Sequence, residues 1–181
     1  MKLIARSGFK KAYFGLEILQ NKENDVLRKN DHASQVLSVL KLCAEKGIEV
    51  HLFCMFGFPG TGRLEAQKTI EFILAYQDII DTVDISSWSY AKHTHVPQAK
   101  KIIQDSDDWA LEYNYQYESE EGLVTKERVD AMVNELIDIV WDECPRLLHP
   151  TCRLVSPWIS LSQDSLSMSN LGGKDLAVLT S

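Results

Sequence analysis

The stretch from Glu49 to Gly62, EVHLFCMFGFPGTG, constrains the fold more than any other part of the chain. Val50 to Phe56 is apolar and rich in β-favouring residues, is too short for a membrane span, and breaks at once into Gly57-Phe58-Pro59-Gly60. That combination predicts a buried strand delivering a tight turn. A helical pattern closing at Gly47 precedes it and another, Leu64 to Tyr76, follows it. Helix, strand, glycine-rich turn and helix in that order predict an α/β protein with a parallel sheet, in which ligands bind at the carboxyl ends of strands.

At 181 residues and 45% hydrophobic, the chain has the material for one domain with a sizeable core. No apolar run is long enough for a membrane helix, and MKLIARSGFKK is too short and too quickly charged for a secretory signal, so a cytoplasmic protein without membrane contact is expected. The net charge is -7, and Asp105 to Glu121 alone carries seven acids and no Lys or Arg. The rest of the chain therefore sums to zero, with no basic footprint for nucleic acid. Cys43, Cys54, Cys144 and Cys152 lack the spacing of a disulfide framework and are expected to be thiols.

Taken in order, Met1–Ser7 allows two turns of helix stopped at Gly8, and Lys10 to Glu17 reads as a first strand ending in Gly15-Leu16-Glu17. Asn21–Asn30 is polar and reads as loop or short helix. Val36, Leu37, Val39, Leu40 and Cys43 give an amphipathic helix capped at Gly47. Ala66, Ile70, Ile73 and Leu74 mark the core face of the next helix, and Asp81 to Tyr90 reads as a third strand, leaving through the loop Ala91–Val96. In the acidic segment Trp109, Leu111, Tyr113, Tyr115 and Tyr117 fall on every second residue, which predicts a strand with one aromatic face. Thr125 is placed to cap a long helix whose buried stripe is Val129, Met132, Val133, Leu136, Ile137 and Val140, ended by Pro145.

Sharper motifs compete with plainer readings. GFPGTGRL at Gly57–Leu64 imitates a phosphate loop between strand and helix, but Arg63 replaces the lysine and Leu64 removes the magnesium-binding hydroxyl, leaving only a helix N-terminus that favours anions. Cys144, His149 and Cys152, with His93 or His95, offer zinc ligands without a C-x2-C pair, so structural roles are the default. His51, mid-strand, reads as a core or barrel-lining histidine. No G-x-S-x-G elbow exists, which removes a serine hydrolase.

GFKKAYFGLE, a helix closing in LCAEKGIEV, HLFCMFGFPG and then DTVDISSWSYAKHTHVPQA together resemble the second half of a radical S-adenosylmethionine (SAM) domain, nearest to members that often carry a cobalamin-binding domain. The resemblance covers Met1 to about Lys101, and its signal lies in the order and spacing of short motifs. It implies a partial (β/α) barrel over residues 1–104, and the acidic aromatic strand or loop plus helix over 105–159 is compatible with the α-rich extension many members have; the Ser-rich composition of 160–181 reads separately as a flexible tail. In that family the strand ends hold SAM and a 4Fe-4S cluster that cleaves SAM to a 5'-deoxyadenosyl radical. Glu17 would then contact the SAM ribose or amino-acid end, Gly57, Phe58, Pro59 and Gly60 would lie against the adenosine, and Ser89 and Tyr90 would face the adenine.

Three departures qualify what the resemblance implies. Ile18 stands where a serine commonly follows the glutamate, and Gly60-Thr61-Gly62 replaces the usual GET with no acid. The cluster loop CxxxCxxC is absent. The expectation is a fragment of a larger radical SAM enzyme, inactive alone and binding neither SAM nor cluster by itself, whose partner in the parent is the missing amino-terminal half of the barrel. Two copies could pair through an exposed strand edge or the barrel-interior face. The alternative from another class is a non-catalytic βα domain that binds a nucleotide or protein through the GFPG turn.

Overall fold

The computed structural model describes residues 8–19, 33–104 and 109–152. Expectations for Met1–Ser7, for Asn21–Asn30 and for the tail 160–181 fall outside those residues.

Three parallel strands form the first sheet in the order β1 (Lys11–Gly15), β2 (Glu49–Phe56) and β3 (Thr82–Ser87). Their register aligns Tyr13 with His51 and Phe53 with Asp84, so all three run the same way and end at one rim. The connections are helical, as parallel neighbours require. Helix α1 (Ala33–Glu45) precedes β2, and α2 (Arg63–Ala75) lies between β2 and β3.

Alternation along β2 explains the packing. Val50, Leu52, Cys54 and Phe56 are buried, and they join Leu40 and Cys43 of α1 and Ala66, Ile70 and Ile73 of α2 in one core. Burial of this apolar surface stabilises the fold at roughly 25 cal/mol per Å². The stripe on α1 is narrower than its sequence pattern, since Val39 is exposed. Gly47 ends α1 in the left-handed conformation (φ 63), and its N–H and that of Ile48 bond the carbonyls of Ala44 and Cys43.

The second sheet is antiparallel and corrects the expected extent of the third strand. The third parallel strand stops at Ser87, and Tyr90–Ala91 forms a separate strand, β4, paired to Tyr113 and Glu112. The central strand of this sheet is β6 (Glu112–Ser119), flanked by β4, β5 (Lys100–Ile102) and β7 (Gly122–Thr125). After residue 104 the strands β6 and β7 are followed by the 18-residue helix Lys126–Glu143, so helix outweighs strand there and the aromatic strand carries the extension's sheet. Strands β4 and β5, before residue 104, each pair with β6 beyond it, and buried core residues lie on both sides of that point.

The aromatic alternation holds only within β6, where Tyr113, Tyr115 and Tyr117 are buried. Trp109 and Leu111 precede the strand and are 94% and 81% exposed, because no pleat carries them onto the inner face. Helix α3 (Lys126–Glu143) has Thr125 as its N-cap, accepting from the Arg128 N–H, and buries Val129, Val133, Leu136, Ile137 and Val140 against β3 and α2. Beyond it Leu148 forms a parallel bridge to Val83, adding a short rung beside β3. Among the described residues no helix is long and apolar enough to cross a membrane.

Candidate functional site

The parallel rim gathers most of the candidate residues. Beyond β1, Glu17 continues the pairing with β2: its N–H donates to the Phe53 carbonyl (2.9 Å) and its carbonyl accepts from the Met55 N–H (3.2 Å). To do so it adopts φ 55, the positive-φ conformation found at no other non-glycine among the described residues. A left-handed glutamate costs on the order of 1 kcal/mol, a cost that folds tend to retain where the position matters. Leu16 and Ile18 on either side are buried and hold the turn to the core. Ile18 is therefore a core anchor and supplies no polar contact.

The turn after β2 sits beside it. Gly57 has φ 86, and a Cβ there would meet Val129 Cγ1 at 2.2 Å, so both conformation and space demand glycine. Pro59 is buried, Phe58 half-buried, and Gly60 (φ 90) is the exposed point of the turn. Thr61 closes it, with its hydroxyl donating to the Phe58 carbonyl (2.7 Å). Docking of a partner or nucleotide onto the GFPG turn as a whole is thus limited to Gly60 and one side of Phe58.

The helix N-terminus behind the turn is already neutralised. Glu65 reaches back to accept from the Gly62 N–H (3.0 Å), and Arg63 pairs with Glu135. A carboxylate at this position takes the place an anion would occupy and repels phosphate, so the phosphate-loop resemblance has no chemical counterpart.

At the exit of β3 the Trp88 N–H donates to the Phe56 carbonyl (2.7 Å), and the Trp88 ring meets Phe58 edge-on at 5.4 Å. Ser89 follows, half-buried. Tyr90 is placed differently. It is buried, and its hydroxyl both donates to the Val96 carbonyl and accepts from the Val96 N–H, closing the 91–96 turn with Lys101 over its ring. Glu17, Gly57–Gly60 and Ser89 share the rim, while Tyr90 is committed to the antiparallel sheet.

Two tyrosines missed by sequence reasoning hold this rim. Tyr117 donates to the Gly57 carbonyl and Tyr115 to the Trp88 carbonyl, each at 3.0 Å. Burial raises both phenols, Tyr117 to about 12, with Glu121 a smaller cause, so both remain protonated donors at neutral pH. The period-2 tyrosines were the available signal; their main-chain partners had none.

The thiols do not fit a 4Fe-4S cluster. All four are buried. Burial raises Cys43, Cys54 and Cys152, the last to about 11, whereas cluster ligation needs thiolates converging from one loop. Cys152 instead donates to Asp84 (3.0 Å), and among the described residues no three His, Cys, Asp or Glu side chains converge to hold a metal.

No protein-family model matches the chain, and no curated protein matches it. Among solved structures, it is similar to a radical S-adenosylmethionine methyltransferase, TsrM, from Kitasatospora setae, solved with cobalamin and a 4Fe-4S cluster bound. The superposition has a TM-score of 0.43 at 14% identity, over 57% of this chain and 23% of that one. The chain thus spans about a quarter of that protein's length, and at this level of likeness the reading of the rim rests on its own residues.

Proposed function

We propose that this chain supplies the carboxyl-terminal part of a radical SAM barrel, with the rim of Glu17, Gly57–Gly60 and Ser89 contacting SAM. The reading is carried by the strand-like main-chain bonds of left-handed Glu17 to Phe53 and Met55, which extend the pairing of β1 with β2 to the carboxyl ends of the parallel strands, just before the glycine turn. Open backbone at Gly60 and a half-buried carboxylate suit a ribose or an amino-acid end better than a phosphate.

Cysteines for the cluster, and the reductive cleavage of SAM that a cluster supplies, are assigned to the rest of the parent protein. This chain alone is an incomplete site. Its own residues bind and orient, while Tyr115 and Tyr117 keep the two loops at their spacing.

The test is anaerobic reconstitution of the polypeptide that carries these residues together with a CxxxCxxC loop, followed by detection of 5'-deoxyadenosine. Formation that falls on substitution of Gly60 by a bulky residue supports the reading. A parent reading frame without such a loop, or formation indifferent to the rim, rejects it.

A further inference from the structure

Along the core face of α2 the buried residues are Ala66, Thr69, Ile70 and Ile73. Thr69 is the odd one, 0% exposed in a stripe that is otherwise apolar, where a valine has the same shape and no polar atom to bury. A hydroxyl in such a place is costly unless its donor and its acceptor are both used. Here both are. The Thr69 hydroxyl donates to the Glu65 carbonyl one turn earlier (2.7 Å), and its oxygen accepts from the Leu19 N–H (2.9 Å). The first bond is one that any mid-helix threonine can make, whereas the second reaches a residue 50 positions away in the chain.

That second bond falls at the rim. Glu17 bonds β2 in its left-handed conformation, Ile18 is buried in the core, and Leu19 is the next residue along. At the other end, Glu65 also reaches back with its Oε2 to accept from the N–H of Gly62, just past the glycine turn (3.0 Å). Leu19, Thr69, Glu65 and Gly62 are thus joined by three hydrogen bonds that run from the exit of β1 to the exit of β2. The bonds of Glu17 to Phe53 and Met55 reach the strand and not the turn beyond it. We propose that Thr69 is the positioning residue of the rim: its hydroxyl ties the chain leaving Glu17 to the helix start that closes the glycine turn, and so sets the two SAM-contacting loops against each other. What the spacing serves rests on the SAM reading above; the tie itself rests on the three bonds.

Three variants separate the hydroxyl from the methyl. Thr69→Val keeps the shape of the wild type without the hydroxyl, and Thr69→Ala does the same for Thr69→Ser. The isotope-labelled intact chain is read by the amide signals of Glu17 and Gly60 and by saturation transfer to SAM. Thr69→Val and Thr69→Ala are expected to move both amide signals and to lower the transfer by about tenfold, while Thr69→Ser keeps both near the wild type. Circular dichroism checks each fold first; where Thr69→Val does not fold, Thr69→Ser against Thr69→Ala carries the same contrast. If the wild type shows transfer, three results overturn the role of Thr69 and leave the SAM reading standing: amides that ignore the hydroxyl, amides that follow the methyl instead, or amides that move while transfer holds. If the wild type shows no transfer, the SAM reading fails, and the amide signals alone decide the tie: moved by loss of the hydroxyl it stands, unmoved it falls.

Discussion

The hydroxyl of Tyr117 donates to the carbonyl of Gly57 across 3.0 Å, joining two residues sixty positions apart and two sheets of opposite strand sense. One residue pair earlier in β6, Tyr115 does the same for Trp88. The antiparallel sheet is thus a strut whose inward tyrosines end on the two loops at the rim of the parallel sheet.

Removing either hydroxyl leaves a buried carbonyl without its partner. Tyr117→Phe and Tyr115→Phe are each expected to cost about 1–3 kcal/mol in urea unfolding. Because both phenols titrate above the ordinary range, absorbance near the phenolate band should show these two tyrosines still protonated at a pH where exposed ones have ionised.

Gly57 is expected to be intolerant for two separable reasons. Gly57→Ala pays for both positive φ and the collision with Val129, about 3 kcal/mol or more. In combination with Val129→Ala the two closest contacts, at Cγ1 and Cγ2, are removed, a Cβ–Cβ approach of 3.0 Å is left, and the conformational strain stays. The double variant should therefore be less destabilised than the sum of the singles by about 1 kcal/mol or more, and strict additivity would deny the contact.

Acid should weaken the fold through His51. Burial lowers its pKa, with His149 and Lys11 contributing and Asp84 opposing. The unfolded chain therefore takes up the proton first. The stabilisation is present above about pH 6.5 and is lost as pH falls from there toward the lower folded value. Urea midpoints measured at about pH 7.5 and about pH 5.5 should separate more for the wild type than for His51→Gln. An unchanged separation would show that the imidazole is not the titrating group.

Much of this architecture is legible in the sequence because its long elements repeat cleanly. The βα grammar around GFPG, the Gly47 stop, the Thr125 cap and the stripe of α3 all follow from periodicity and turn chemistry. The antiparallel sheet is not legible because β4 has two residues and β5 three, too few to display a period. For the same reason Asp81–Tyr90 reads as one strand although the chain changes sheets at Trp88, and Trp109 and Leu111 fit the aromatic alternation before the strand has begun. Of the candidate site, Glu17, the glycine turn and Ser89 are visible as motifs. The tyrosines that hold them are not, since bonds to a distant main-chain carbonyl leave no trace in residue type.

Native thiols should be silent. All four cysteines are buried and the shifts of Cys43, Cys54 and Cys152 are upward, so labelling by a disulfide reagent should proceed only as fast as the protein opens. Incubation of the isolated chain with iron and sulfide should give no stoichiometric cluster absorption. Fast labelling of the native chain would contradict the packing around β2 and β3.

The most direct measurement is ligand-observed NMR of SAM with the intact chain. Where the sequence led to the expectation that the chain alone binds no SAM, the rim proposed above implies a residual affinity of roughly millimolar order, to which this method is suited. Wild type is compared with Glu17→Gly, which removes the carboxylate while relieving the left-handed strain and should gain about 0.5–1 kcal/mol of stability. The account predicts saturation transfer to the adenosyl protons that is lost in this better-folded variant. Equal transfer to both proteins, or none to the wild type at millimolar SAM, would contradict it.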